Sequence, residues 1–503
     1  MNHDSDFVDA KTEAGRISLW RASLQMALVS VASVVAAGLM AAGLSGCANL
    51  SNVAPPQAQL RDAASLGLTD SASPSASLPS PQWWRDFGDE TLNALVAQAL
   101  QANPSLKLAQ ARLAHAQAAS EMAQAATQPQ LNGQLELTHQ RYTANGAVPP
   151  PLAGAVRDSA TAQFSASWEL DFFGKNRAAL DAALGSANAA QADAQAARVL
   201  LASQVAHRYF ELVRLNEQLG VARRTLAQRE ETLKLVQDRV KAGLDTQLEL
   251  RQSEGSLPEA RLQLEILQEQ MALTRNALSA LLGQPASATA TATATALRPS
   301  ALGAIKNLPA QSVIPADLLG RRADIVAARW RVEAASSDVV NAKAQFYPNI
   351  NLVGFAGLSS IGLGQLLNAG SQQWGVGPAL RLPIFDAGRL RANLRGKNAD
   401  LDAAVESYNA AVVQAVREVV DQLASSQAIA RQQLEQRAAQ HAAEGAYAIA
   451  VQRYKAGLGN YLNVLTAETS VLAQRRLALD LASRALDTQL ALMHALGGGY
   501  FHV

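Results

Sequence analysis

The chain has 503 residues, almost equal numbers of basic (43) and acidic (42) groups, and one cysteine. That balance excludes nucleic acid as a partner, and a lone cysteine excludes a disulfide framework or a cysteine-built metal site. After Cys47 no run of 18 apolar residues occurs, so no transmembrane helix is expected there; any crossing of a bilayer must use strands of a closed barrel, in which every backbone group is paired.

Residues 1–46 read as a removable signal: Lys11, Arg16 and Arg21 precede an apolar stretch from Met26 to Leu44, and Leu44-Ser45-Gly46 leads into Cys47. Small residues admit a peptidase to the backbone, and the Cys47 thiol is a nucleophile for lipid attachment. This resembles a bacterial lipoprotein signal, and Ala48 after the cysteine implies outer-membrane sorting. The cut leaves 40 basic and 38 acidic groups. Residues 47–81, rich in Ser, Ala, Pro and Gln, read as a tether with little capacity to form a core.

Order is expected from Trp83-Trp84-Arg85-Asp86-Phe87, with a helix over Thr91–Ala102 and another from Pro104 to about Ala126. Two strands follow, at about 130–142 and 160–171, each apolar on one parity (Leu131, Leu135, Leu137; Phe164, Trp168) and polar on the other. From Lys175 to Lys241 a heptad runs through Val205, Leu212, Leu219, Leu226, Leu233 and Val240. It predicts a helix packed along its length, on the order of 100 Å long. Gly243 stops it, and the stripe resumes at Leu250, Leu257, Leu264, Met271 and Leu278, with Pro258 expected to kink the returning helix.

The second half then repeats the first. Arg239-Val-Lys-Ala-Gly243-Leu matches Arg453-Tyr-Lys-Ala-Gly457-Leu 214 positions later, and Leu282-Gly283 matches Leu496-Gly497 at the same offset. A duplicated helix–strand–helix unit accounts for this: a first repeat over 82–285, a low-complexity connector over 286–314 and a second repeat over 315–503. Strands are expected at about 349–358 and 374–385, the fourth carrying Val376, Leu380, Leu382 and Ile384; Leu465, Leu472, Leu479, Leu486 and Met493 renew the heptad. Four strands close into nothing alone, so the chain is expected to assemble with copies of itself.

No chemistry-bearing constellation emerges. The seven histidines are scattered, and neither a phosphate-cradling loop nor a nucleophile elbow is present. An enzyme is the weak hypothesis, and neither cofactor nor metal is expected.

Duplicated halves with two strands each, long hairpins and a lipidated start resemble the outer membrane efflux proteins, the TolC-like factors, in their lipoprotein branch serving resistance-nodulation-division pumps. The segments that carry the resemblance are Trp83–Phe87 with Leu92, Ala99–Pro104, Ile314–Ile325 and Phe346–Leu352. It implies a mainly α fold with a transmembrane β component: a homotrimer whose chains build a 12-stranded barrel, continued by an α-helical periplasmic barrel with the connector in its equatorial region. The implied function is passive exit of antibiotics and other toxic small molecules through the outer membrane of a Gram-negative bacterium. A periplasmic adaptor and an inner-membrane pump would be the partners, and outer-membrane lipid would surround the strands. Arg239, Lys241, Gly243 and Leu244, with Arg453, Lys455, Gly457 and Leu458, resemble the family's adaptor-docking tips. Tyr454, Asn463 and Thr466 fall at its periplasmic gate; Asn463 and Thr466 stand where the family often has aspartates, and Glu249, equivalent to Asn463 in the first repeat, is the candidate substitute charge. A duct for secreted polypeptides or metal ions, and a periplasmic coiled-coil scaffold, stay open as other readings.

Overall fold

The computed structural model describes residues 53–61, 80–285, 302–306 and 318–500. Cys47, the signal and most of the connector lie outside the described residues. The chain divides into two compact units, one containing 121–182 and 335–401, the other 58–120, 183–334 and 402–503.

The first unit holds one antiparallel sheet of β1 (Gln130–Arg141), β2 (Val156–Leu170), β3 (Asn349–Ile361) and β4 (Gln372–Arg381), in that spatial order. β2, from the first repeat, pairs directly with β3, from the second, placing Ala162 between Leu135 and Leu358. Alternation puts Leu135, Leu137, Phe164, Trp168, Trp374 and Val376 on one face, and all six side chains are exposed. Gln134, Gln163, Ser165, Asn351 and Gln373 share the other face. Val353, Phe355 and Ile361 are apolar exceptions on that face; Phe355 lies across Gly375, where an added Cβ would come within 2.7 Å of the ring.

Three strand boundaries differ from expectation: β3 runs on to Ile361, past its expected end near 358. β2 begins at Val156, because Tyr142 and Ala155 close the hairpin by a backbone hydrogen bond and the ladder runs up to it. β4 ends at Arg381, so Leu382 and Ile384 are not strand residues; Pro383 brings no N–H to a ladder and restricts the residue before it.

The second unit is helical. A 3-10 turn at Trp83–Phe87 buries its aromatics against the long helix: Trp83 meets Trp84 edge-on at 5.7 Å, and Phe87 meets Phe210 at 5.3 Å. Helix α1 (Glu90–Ala102) is capped by buried Asp89, whose carboxylate accepts the Leu92 N–H at 3.0 Å and the Tyr209 hydroxyl at 2.7 Å. At Asn103 the chain re-enters a helix, α2 (Pro104–Ala125). The Asn103 carbonyl oxygen accepts the Ser105 N–H, while its amide donates to Leu281 O at 2.8 Å, covering the end of a second helix. One side chain thus serves two helix termini.

The long helices are α3 (Lys175–Lys241) and α4 (Gln247–Leu281), then α7 (Arg389–Lys455) and α8 (Tyr461–Ala495), after a short α5 (Leu318–Arg321) and α6 (Ala323–Ala344). Both outgoing helices have 67 residues and both returning ones 35. α4 continues through Pro258. Its buried face near that point is Ser253, Ser256 and Ala260, while heptad residues Leu250 and Leu257 are only half-buried: a straight helix of 3.6 residues per turn drifts off a strict seven-residue seam. Arg322 is buried with four acceptors, the two Asp324 oxygens (3.1 and 2.7 Å), Glu418 (2.8 Å) and Ala495 O (3.2 Å), which explains why the Arg322-Ala-Asp324 segment stands out in the sequence.

Asp89→Ala removes a cap and a buried acceptor together and is expected to destabilise the fold by about 2–4 kcal/mol. Tyr209→Phe is expected to cost about 1 kcal/mol. Thermal unfolding of the detergent-solubilised protein, followed by circular dichroism, checks the order of the two effects.

Candidate functional site

Both hairpin tips are built the same way. Gly243 and Gly457 adopt φ of 73° and 78°. Leu244 N–H reaches back to Arg239 O (2.9 Å) and Gly243 N–H to Val240 O (3.0 Å); Leu458 to Arg453 (2.8 Å) and Gly457 to Tyr454 (3.0 Å) repeat the pattern. These are Schellman closures, which favour glycine at the left-handed residue. Each leaves a leucine exposed, Leu244 at 65% and Leu458 at 69%, beside exposed Lys241 and Lys455. Arg453 donates to Leu458 O at 3.3 Å.

The returning helices start on different caps. Thr246 and Glu249 form a reciprocal capping box at α4, so the Glu249 carboxylate is held by the Thr246 hydroxyl and N–H, and these bonds lower its pKa. At α8 the Asn460 side chain accepts the Asn463 N–H at 3.1 Å. Asn463 and Thr466 are exposed, and the Thr466 hydroxyl bonds back to Leu462 O.

Tyr454 is not on the surface: it is buried with Val236, Tyr461 and Val464, its ring 6.0 Å from that of Tyr461. Its hydroxyl donates to Asp245 of the other tip. Asp245 also takes a two-point bond from Arg239 (2.9 and 3.2 Å), and the Arg239 guanidinium lies 4.6 Å from the Tyr454 ring centre. Arg239 is therefore committed inside the hairpin pair, whereas Lys241 and Lys455 point outward. Burial raises the Asp245 carboxyl pKa, but the bonds from Arg239 and Tyr454 outweigh it and hold the group below the usual carboxylate range. Burial, then Asp245, pushes the Tyr454 phenol well up.

Sequence reasoning missed Asp245. The available signal was an asymmetry: at the 214-residue offset Asp245 aligns with Gly459, so one tip carries an acid the other lacks. It also missed a buried cross-link deeper in the bundle, where Arg229 of α3 meets Glu468 of α8 at 3.2 Å and donates to Ser256 O of α4 at 2.7 Å. Burial pushes the Glu468 carboxyl up, despite Arg229. His207 lies 2.8 Å from Asp487. Among the described residues no cluster of metal-ligating side chains occurs.

Residues 95–284 and 314–498 match the family profile described as outer membrane efflux protein. The chain belongs to that family. The multidrug resistance outer membrane protein MdtP of Escherichia coli K12 is 33% identical over 475 residues, covering 91% of this chain and 94% of MdtP. The fusaric acid resistance protein FusA of Burkholderia cepacia is 36% identical over 364 residues, 71% of this chain and 67% of FusA. Among solved structures, the outer membrane protein VceC of Vibrio cholerae superposes with a TM-score of 0.77 at 38% identity, covering 84% of this chain and 99% of VceC. The family is one of transport ducts rather than enzymes.

Because its folded-state pKa is depressed, Asp245 contributes tip stability that is fully present above the ordinary aspartate pKa of about 4 and is lost as pH falls through the lower folded value. Asp245→Ala is expected to speed amide hydrogen exchange around both tips at pH 7, by about tenfold for a loss of roughly 1.4 kcal/mol. The near-ultraviolet dichroism of wild-type tyrosines should stay unchanged until below about pH 4.

Proposed function

We propose that the protein is the outer-membrane exit duct of a tripartite efflux system, passing small toxic molecules out of the periplasm while an inner-membrane pump supplies the energy. One observation carries this: a four-stranded sheet whose apolar face is exposed and whose two edges, β1 and β4, pair with no other strand among the described residues. Water penalises the face, and lipid would penalise the edges. Three chains placed edge to edge within a bilayer remove both penalties, giving a 12-stranded barrel of the even-numbered kind, apolar outside and lined by Gln134, Gln163 and Gln373 within. The MdtP and FusA relatives, named for multidrug and fusaric acid resistance, support drug-like cargo.

In this reading the tips face the periplasm. Leu244 and Leu458 offer apolar knobs and Lys455 and the exposed Lys241, paired with Asp238, offer positive charge to an adaptor, while Arg239 and Arg453 shape the turns. The Asp245–Tyr454–Arg239 tie holds the two hairpins of one chain together, and its release opens the gate. Asn463 and Thr466 line the closed end with neutral polar groups, and Glu249, spent on its capping box, contributes little free charge. Lipid anchoring at Cys47 fits the position of Val53, packed beside Leu390 and Leu394 at the start of α7: six residues reach at most about 20 Å.

A strain lacking the gene should accumulate a panel of antibiotics; the wild-type gene should reverse this, and a Leu244→Asp/Leu458→Asp double variant should not. Normal accumulation in the deletion strain would count against drug efflux. In conductance recordings, Thr466→Asp should make the closed state more cation-dependent, and an unchanged trace would remove Thr466 from the gate.

A further inference from the structure

The first turns of α7 carry Arg389, Arg391 and Arg395, with no acidic residue in the opening turn. Neither Arg391 nor Arg395 makes a hydrogen bond or an ion pair within 4 Å among the described residues, and both are exposed. Asp386, which senses Arg389 and Arg391, already accepts the N–H groups of Gly388 (2.9 Å) and Leu390 (2.8 Å). Leu390 and Leu394 turn the other way, into a core with Val339 and Phe346.

The outward direction of the arginines is fixed by helical spacing. Arg391, Arg395 and Asn398 fall at i, i+4 and i+7, one face of the helix. Asn398 on that face donates to Ala54 O at 2.7 Å, so the N-terminal segment lies along it. Beside this helix start, at the same end of the sheet, the links that follow β2 and β4 expose Phe172 (68%), Ile384 (86%) and Phe385 (89%), extending the apolar surface past the last strand residues.

On the membrane-spanning reading of the sheet, we propose that Arg391 and Arg395 hold the headgroup phosphate of an anionic phospholipid in the periplasm-facing leaflet, with Phe172, Ile384 and Phe385 seated among its acyl chains. A guanidinium fork matches a phosphate by paired hydrogen bonds, aromatic side chains settle at the membrane–water boundary, and each basic residue near an anionic surface adds attraction. A free phosphate ion would satisfy the arginines and leave the apolar collar in water; a lipid satisfies both. The site would also steady the start of α7 beside the segment that leads to Cys47.

The full-length protein, reconstituted in phosphatidylcholine vesicles with and without phosphatidylglycerol, is extracted and its retained lipids counted by native mass spectrometry, with pore conductance measured on the same vesicles. Wild type should retain phosphatidylglycerol over phosphatidylcholine by roughly tenfold; R391Q/R395Q should lose that preference with conductance unchanged, and R391K/R395K should keep part of it. Equal retention by wild type and R391Q/R395Q overturns the site, as does displacement of the lipid by inorganic phosphate alone. Wild-type protein released from the vesicles by an alkaline wash without detergent would overturn the membrane-spanning reading itself, a result separable from retained protein that shows no lipid preference.

Discussion

Backbone hydrogen bonding is the constraint on which the architecture turns. Each strand brings one donor and one acceptor per residue, and a sheet of four has two outer edges that pair with no further strand among the described residues. An aqueous fold would cover such edges with a loop or helix, or blunt them with charge. Here the edge strands carry leucine, valine and tryptophan outward, Leu135 and Leu137 on β1, Trp374 and Val376 on β4. The combination suits surfaces that meet copies of themselves and a hydrocarbon solvent, as the proposed duct requires.

The helical unit solves a different problem, holding extended hairpins together with little bulk. Alanine and serine at the contacts, such as Ser253, Ser256 and Ala260, let helices approach closely but contribute little hydrophobic free energy. Polar ties take over part of the work. Arg322 joins the start of α6 to α7 and α8, Arg229 and Glu468 join the hairpins a few turns short of the tips, and Asp245 joins their ends. Removing one partner of such a buried pair costs more than the pair itself contributes, so these links specify which helices are neighbours more than they raise overall stability.

Much of this was legible from the residues. The 214-residue offset, the glycines at both tips and the parity of β1 and β2 are local patterns, and the structure places the 67-residue helix of the first repeat at Lys175–Lys241. What stayed hidden depends on distant partners. Asp245 looks like an ordinary turn residue until Tyr454, 209 positions away, is brought against it. Leu382 and Ile384 keep the strand parity, yet Pro383 between them ends the ladder. The heptad in α4 locates the helix but not its buried face, since Ser253 and Ser256 carry no hydrophobic signal yet are buried, Ser256 beside Arg229 of α3.

Matching helix lengths, 67 and 35 residues in both repeats, constrain how such a chain can change over generations. Adding one turn to a single hairpin advances its end by about 5.4 Å and separates Asp245 from Tyr454. Lengthening is tolerated only when both copies gain the same number of residues, so paired insertions, spaced by the duplication offset, are the ones that survive selection. The duplicated ancestry therefore acts as a ruler that each half reads against the other.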